Sequence, residues 1–336
     1  MLCALVGAGN MGMKHTNVLL GLDVTIESVC DISEASLEAY KQRFKGRLEQ
    51  VKYYQDFDQM LASSKADMVI ITLPPFAQNG QFEKAAEAKK HVFIEKPIAL
   101  TPERGLSMVR AAKKNRIISS VGFHMRQGAV YRFIRQLMKE GKAGKPVLFQ
   151  ALYSCNSLHT PWWRDKEKSG GQILEQVIHL YDLGRSLLGE PQGVSARMQN
   201  ICHNDIESYT VEDVSSSLTA YASGAIGTIS ATNCAVPGVW KGAYTLVFEN
   251  LMVECQDSNH ATFTYTNENP IRRETISEED SDHAKGIEEF VNCVKQDVQS
   301  PCSIEEGYKS LLYVYAATQS AEQSGTPYTV KEHANV

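Results

Sequence analysis

Along residues 1–122 the hydrophobic pattern alternates between two rhythms. Short, nearly continuous apolar runs stand at residues 2–6, 24–30, 68–72, 91–94 and 117–122. Between them lie stretches with helical spacing, among them residues 34–44, 82–89 and 103–114. Continuous rather than alternating apolar runs suit strands buried on both faces. Strand and helix in regular alternation predict a doubly wound parallel sheet, an α/β arrangement of the Rossmann type. Thr101-Pro102-Glu103 predicts a helix start: a capping hydroxyl, a proline in the first turn, and an acid near the positive end of the dipole.

The rhythm changes after residue 122. A basic amphipathic segment, 131–139, ends at Gly141 and Gly144, and a strand follows over 147–153. A polar, aromatic-rich stretch (154–168) leads into a helical segment over 171–188. Strand-like runs then succeed one another at 194–198, 211–221, 225–233, 244–248, 251–254 and 262–265 without intervening helices. This predicts an α+β domain with a mostly antiparallel open sheet. Helical spacing returns at 282–294 and 304–324, ended by Gly325-Thr326-Pro327. The expected division is therefore 1–122 for a dinucleotide-binding domain and 123–336 for a substrate-binding and oligomerisation domain, with the final helices free to pack back on the first. An open antiparallel sheet is often covered by a second copy, so a homodimer or homotetramer through that sheet is expected.

Composition narrows the function. The 336 residues carry 34 basic and 39 acidic side chains, a net charge of -5, which argues against a nucleic-acid partner held by bulk charge. No apolar run approaches the ~18 residues of a membrane span, so no membrane partner is expected. Eight cysteines are scattered singly, without a C-x-x-C pair, and are expected to be reduced and packed. The apolar start, residues 1–6, lacks preceding basic residues and runs directly into glycines, so it reads as a first buried strand and the chain as cytoplasmic.

Gly7-Ala8-Gly9-Asn10-Met11-Gly12 follows the first predicted strand and opens a predicted helix. Gly7 permits the tight turn, Gly9 lets backbone approach a pyrophosphate, and Gly12 allows close helix–strand packing; Asn10 and Met11 place free N–H groups at the helix start. Asp31 ends the next strand, about 20 residues on, where a carboxylate accepts hydrogen bonds from ribose hydroxyls. Ile32-Ser33-Glu34-Ala35-Ser36 contains no base to hold a 2′-phosphate, which favours NAD over NADP.

Two further segments carry candidate chemistry. Glu95-Lys96-Pro97 ends a buried strand, where residues line the ligand crevice of such a sheet. Lys96 there is either a positioned cation, able to hydrogen-bond or exchange a proton with a substrate oxygen, or half of a surface ion pair with Glu95. In Ser169-Gly170-Gly171-Gln172-Ile173-Leu174-Glu175-Gln176-Val177-Ile178-His179-Leu180-Tyr181-Asp182, positions 175, 179 and 182 fall on one face of a continuous helix. Glu175 would then orient His179 as a general base; alternatively His179 is a buried histidine satisfied by its neighbour. No His-Glu-x-x-His order or third ligand is present, so no metal is expected.

These residues together resemble the Gfo/Idh/MocA oxidoreductases, which include inositol and glucose–fructose type enzymes, over nearly the whole chain. Gly7–Gly12 resembles the family's nucleotide loop, Thr72-Leu73-Pro74-Pro75 its loop along the cofactor after the fourth strand, and Glu95-Lys96-Pro97 its most specific signature. The segment ending at His179 is similar to its glycine-rich histidine motif, with Glu175 where an aspartate is usual and Ser169 where a glycine is usual; a few residues beyond the Thr72–Pro75 loop, Gln78 stands where the family carries a histidine. The resemblance implies that Lys96 and His179 serve catalysis with Glu175, and that Gly7, Gly9, Asn10, Met11, Gly12, Asp31, Thr72, Pro74, Glu95 and Lys96 hold the cofactor. Asp182 is expected to be structural.

Asn156-Ser157-Leu158-His159-Thr160-Pro161-Trp162-Trp163-Arg164-Asp165 mixes flat apolar faces with polar tips, as sites for polyhydroxylated ligands do. Trp163 and Arg164, with His124, Arg126, Tyr153 and Asn156, are the candidate substrate contacts, unless the tryptophans belong to core or interface. The expected activity is hydride transfer between NAD(P) and a sugar, cyclitol or related polyol. A non-catalytic nucleotide sensor would not need both Lys96 and His179, and a hydrolase-like enzyme that retains its NAD would cleave glycosides without releasing NADH.

Overall fold

The computed structural model describes residues 1–279 and 282–330; residues 280–281 and 331–336, inside the second expected domain, lie outside the described residues. Six strands, β1 (Leu2–Val6), β2 (Thr25–Cys30), β3 (Lys52–Tyr54), β4 (Met68–Ile71), β5 (His91–Ile94) and β6 (Ser119–Val121), form a parallel sheet in the order β3-β2-β1-β4-β5-β6. The helices α1 (Asn10–Leu19), α2 (Glu34–Arg43), α3 (Phe57–Ser63), α4 (Gln81–Glu87) and α5 (Pro102–Asn115) alternate with them. The central strands β4 and β5 are buried almost throughout, which explains their unbroken apolar runs. β3 and α3 were not foreseen, because Lys52-Tyr53-Tyr54 is a three-residue, half-exposed strand at the sheet edge with no readable period.

The strand order reverses between β1 and β4, so the crevice beyond their carboxyl ends is the ligand position of this sheet. There the Thr72 hydroxyl donates to the Gly7 carbonyl at 2.9 Å, joining the two loops that flank the crevice. Gly12 is required by contact rather than conformation: a Cβ at that position would lie 2.0 Å from the Gly7 oxygen.

The second half contains α6 (Ala129–Lys139), β7 (Pro146–Ser154), the one-turn helices α7 (Pro161–Arg164), α8 (Lys166–Ser169) and α9 (Gln172–Glu175), and α10 (Ile178–Leu188). The strands β8 (Pro191–Gln199), β9 (Val214–Tyr221), β10 (Ile226–Thr232), β11 (Lys241–Phe248), β12 (Leu251–Cys255), β13 (His260–Tyr265) and β14 (Arg272–Ser277) follow. Then come α11 (Asp282–Gln296), α12 (Ile304–Glu322) and β15 (Tyr328–Thr329). Among the described residues nine strands order as β14-β13-β12-β11-β7-β10-β9-β8-β15, and of these only β7 and β10 pair in parallel. The sheet is thus mixed and mostly antiparallel.

One face of this sheet is covered by α10 and α12, where Tyr181, Tyr221 and Tyr313 pack edge to face and the Tyr313 hydroxyl donates to Thr219. The opposite face is open and presents Leu152 and Leu218 among serines and threonines. The two final helices pack back on the first sheet. Ile287, Phe290 and Val291 of α11 share a core with Leu5, Val29 and Phe93. Leu311 and Tyr308 of α12 press on α5 so closely that a Cβ at Gly105 would lie 2.8 Å from Leu311.

The histidine segment is not one continuous helix. Glu175 and Gln176 donate to carbonyls four residues back, but Val177 donates to Gln172, five back, at 3.0 Å. This single wide turn separates α9 from α10 and advances the later residues by about 100° around the axis. Positions 175 and 179 therefore leave the shared face that a regular helix would give them.

Candidate active site

The loop between β1 and α1 turns at Gly7, whose φ of +101° is the left-handed region open to glycine. Gly9 caps α1 without any side-chain hydrogen bond, and a Cβ there would meet nothing within 4 Å, so the helix start faces open space. Asp31 is oriented by its neighbours: its carboxylate accepts the N–H of Ala8 and of Ser33, both at 2.8 Å. Ile32 beside it is 85% exposed, an apolar face at the crevice rim that patterning did not single out.

From this loop a cleft of about 460 Å³ runs toward the second half of the chain. Gly9, Asn10, Met11, Thr72 and Pro74 line one end, and Lys96, Glu175, His124 and His179 the other. Lys96 comes from the end of β5 and His179 from α10, so the cleft is built by both sheets' elements. The Lys96 ammonium donates to Glu175 twice, to Oε1 and to the main-chain oxygen, both at 2.8 Å. Glu175 Oε2 accepts the indole N–H of Trp163 at 2.8 Å. The expectation that Glu175 orients His179 is corrected here: the wide turn at Val177 points the carboxylate to Lys96. Of the two alternatives for Lys96, the surface pair with Glu95 is not found among the described residues; buried Glu95 is bound to His15 at 2.6 Å. Burial raises the Glu95 pKa, but the His15 hydrogen bond and charge and Lys96 leave it below the usual value. Gly122 faces this carboxylate so closely that a Cβ would lie 2.6 Å from it.

Three histidines gather around the cleft. The rings of His124 and His283 stack at 4.1 Å, and Asp282 bonds both, at 2.7 Å and 2.9 Å. His179 lies edge-on to His124, with ring centroids 4.3 Å apart, and its Nδ1 is buried without a hydrogen-bond partner. Burial pushes the His179 pKa well below its ordinary value, and the neighbouring His124, Lys96 and His283 push the same way. The imidazole is therefore neutral, the form that accepts a proton. Burial raises Asp282, yet the two histidine hydrogen bonds bring it far below the carboxylate range. Asp282 and His283 were missed because they lie more than a hundred residues from every other cleft residue and carry no local motif.

The other candidates are placed as follows. His124 lines the cleft; Trp163 is buried behind Glu175, and its neighbours Trp162 and Thr160 line the wall instead. Phe76, from the loop after β4, meets Trp162 with ring centroids 6.0 Å apart. Arg164 staples its own loop through the carbonyls of Leu158 and His159, and Asn156 donates to Ala235. Tyr153 packs near Trp240, outside the cleft lining. Gln78 is buried and donates to the carbonyls of Leu73 and Pro97, tying together the two cofactor-side loops.

The structure corrects the expectation for Arg126. Its guanidinium is buried and forks onto Asp182 at 2.6 and 2.7 Å, with Glu306 at 3.2 Å. Asp182 also accepts the hydroxyl of Ser310 at 2.6 Å. The pairing satisfies a charge that α10 would otherwise bury alone.

Family models match both halves of the chain: "Oxidoreductase family, NAD-binding Rossmann fold" over residues 1–123 and "GFO/IDH/MocA C-terminal domain" over residues 131–254. The scyllo-inositol 2-dehydrogenase (NAD(+)) of Bacillus subtilis is 29% identical over 68% of this chain and 66% of its own length. The myo-inositol 2-dehydrogenase of Thermotoga maritima is 24% identical over 96% of this chain and 97% of its own. Levoglucosan dehydrogenase, solved in complex with NADH and levoglucosan, superposes with a TM-score of 0.89 over 99% of this chain and 100% of its own, at 19% identity, a likeness of fold.

Removing one partner of the buried Arg126–Asp182 pair should be costly. Arg126→Met is expected to lower stability by about 3–5 kcal/mol in denaturant titrations, and Arg126→Met/Asp182→Asn to recover part of that loss. Burial raises the Glu306 pKa, but Arg185 and Arg126 bring it down to about 2. A carboxylate with a depressed pKa stabilises the fold above its ordinary pKa of 4.5 and loses that contribution as pH falls through about 2. Melting temperature should decline over that window, and less steeply in Glu306→Gln.

Proposed function

The chain belongs to the Gfo/Idh/MocA oxidoreductase family, and on that premise we propose that it is an NAD-dependent dehydrogenase of sugars, cyclitols or related polyols. It moves a hydride between the nicotinamide ring and a carbon that alternates between alcohol and carbonyl. The two relatives described above are named as inositol dehydrogenases, and the levoglucosan enzyme shares its fold. One observation carries the assignment of residues: Lys96, His124 and His179 converge in a single cleft that opens beside the free N-terminus of α1.

The chain's residues fit the dinucleotide. Gly9, Asn10 and Met11 present backbone N–H groups to the pyrophosphate, and Asp31, already oriented by two backbone bonds, accepts from the ribose. Ile32 offers its exposed face to the adenine, and the absence of a base in residues 32–36 selects NAD over NADP. Thr72, Pro74 and Glu95 line the floor toward the nicotinamide. When bound, the nicotinamide supplies the two-electron acceptor.

In the oxidative direction neutral His179 takes the hydroxyl proton. Lys96 places one N–H on the reacting oxygen while Glu175 holds its other protons, and it steadies the charge that develops there. Trp162 and Thr160 give the substrate a flat apolar wall and a hydroxyl. Residues 1–122 thus serve the cofactor and residues 123–336 the substrate, with the described part of α11 returning His283 to the cofactor side.

The open face of the nine-stranded sheet is proposed as the contact with a second copy. Leu152 and Leu218 stand 44% and 53% exposed on it, amid the Thr228 and Ser230 side chains that would pair across the interface.

Lys96→Met and His179→Asn should each lower kcat for polyol oxidation by about 10²–10⁴-fold, with NAD affinity, measured by fluorescence titration, within a few-fold of wild type. Full turnover in both variants would refute the assignment. Leu152→Lys/Leu218→Lys should shift the sedimentation-equilibrium mass to one chain; an unchanged oligomer, or a monomeric wild type, would remove the sheet face from the interface.

A further inference from the structure

Away from the cleft, three side chains with ligand atoms converge at the end of the second sheet. Cys202 lies on the loop after β8, Asp213 immediately before β9, and Cys234 just beyond β10. Both thiols and a carboxylate oxygen lie within 4.8 Å of one another. Nothing in the spacing of these residues along the chain announces the cluster; three strand ends that are distant in sequence bring it together.

The surroundings fix Asp213 with backbone N–H groups and place no lysine or arginine beside it. The residue is fully buried, and its carboxylate accepts the N–H groups of Ile201, Cys202 and His203 at 2.9, 2.6 and 3.1 Å. Among the described residues no lysine or arginine forms an ion pair with it. Its one basic neighbour is His203, whose Nδ1 lies 3.2 Å from Oδ2 yet is buried without a hydrogen bond. A buried carboxylate within 4.8 Å of two thiols, held by backbone N–H groups and with no lysine or arginine beside it, offers a place for a cation. Oxidation of the two cysteines to a disulfide would leave that carboxylate without a cation. A divalent cation would satisfy all three groups at once.

We propose that Cys202, Asp213 and Cys234 form a binding site for a thiophilic divalent cation, Zn²⁺ by preference. Two sulfur donors and one oxygen suit a borderline-soft ion of tetrahedral habit and not the all-oxygen shells of Ca²⁺ or Mg²⁺. Cys202 is exposed, which leaves a solvent position for a fourth ligand, and His203 stands behind Asp213 to orient it. The site's role is structural. Its loop carries Tyr209 and Val211, which pack on Trp163, the residue whose indole holds Glu175. A bound ion braces the wall behind the catalytic lysine.

The test uses the full chain, reduced and stripped with a chelator, and titrated with Zn²⁺ against a chromophoric competitor and separately with Co²⁺. The wild type should take up one tight Zn²⁺ per chain and show a thiolate-to-cobalt band in the near ultraviolet. Cys202→Ser and Cys234→Ser should each lose that equivalent and that band, and Asp213→Asn should weaken binding by about 10–100-fold or more. Circular dichroism and NAD titration check folding, and exposed Cys202 gives the variant least able to perturb it. Ions held by His124, Asp282 and His283 would persist in the serine variants, so the difference between proteins is what is read. The same stoichiometry and affinity in wild type and Cys202→Ser, or no tight Zn²⁺ in a reduced wild type, overturns the proposal, and neither outcome bears on the dehydrogenase assignment.

Discussion

The ion pair between Lys96 and Glu175 is the contact on which the rest of the cleft depends. Lys96 ends a strand of the parallel sheet, and Glu175 ends a short helix of the second half. Two bonds of 2.8 Å hold the ammonium to that residue, one to its side chain and one to its backbone. The pair is largely buried, with side chains about one-sixth exposed, so neither charge could be left alone without penalty. The indole of Trp163 occupies the remaining carboxylate oxygen. The loop carrying Trp163, the short helix ending at Glu175 and the end of the parallel sheet are in this way drawn to one point, where the two halves of the chain meet.

Electrostatics divide the cleft into groups with opposite tasks. Glu95 and Asp282 are held ionised, the first by His15 and the second by His124 and His283, despite burial that opposes both. His179 has no such carboxylate. Its depressed pKa follows from burial first and then from the basic groups of His124, Lys96 and His283 around it, and it rests in the neutral form. One cleft thus sets a lysine bonded to a carboxylate beside an imidazole kept neutral, the form able to accept a proton.

Much of this was legible in the chain and the remainder was not, for identifiable reasons. Continuous apolar runs located the central strands because those strands are buried on both faces. Gly7 and Gly12 announced the nucleotide loop because each meets a steric demand that other residues fail, and Gly9 leaves the helix start open. The pairing of Lys96 was not legible, because the wide turn at Val177 depends on backbone bonds that no residue spacing encodes. A regular helix would have given Glu175 to His179; the extra residue gives it to Lys96. Arg126 looked like a cleft residue by position, yet tertiary pairing with Asp182, from a helix still to come in the chain, turned it inward. Edge strands such as β3 and β15 are too short to carry a period. Asp282 and His283 reach the cleft through α11, whose docking on α1 rests on apolar contacts unrelated to the chemistry those residues bring.

Glu175→Gln offers the most direct examination of the central claim, since it preserves size and removes the charge opposite Lys96, its single amide oxygen being left to accept from either Trp163 or Lys96. Steady-state polyol oxidation by this variant, read together with NAD binding, should show kcat reduced by about 10–100-fold, corresponding to ~1.4–2.8 kcal/mol of lost transition-state stabilisation, with NAD affinity unchanged. Wild-type kcat, or a defect confined to NAD binding, would contradict the account.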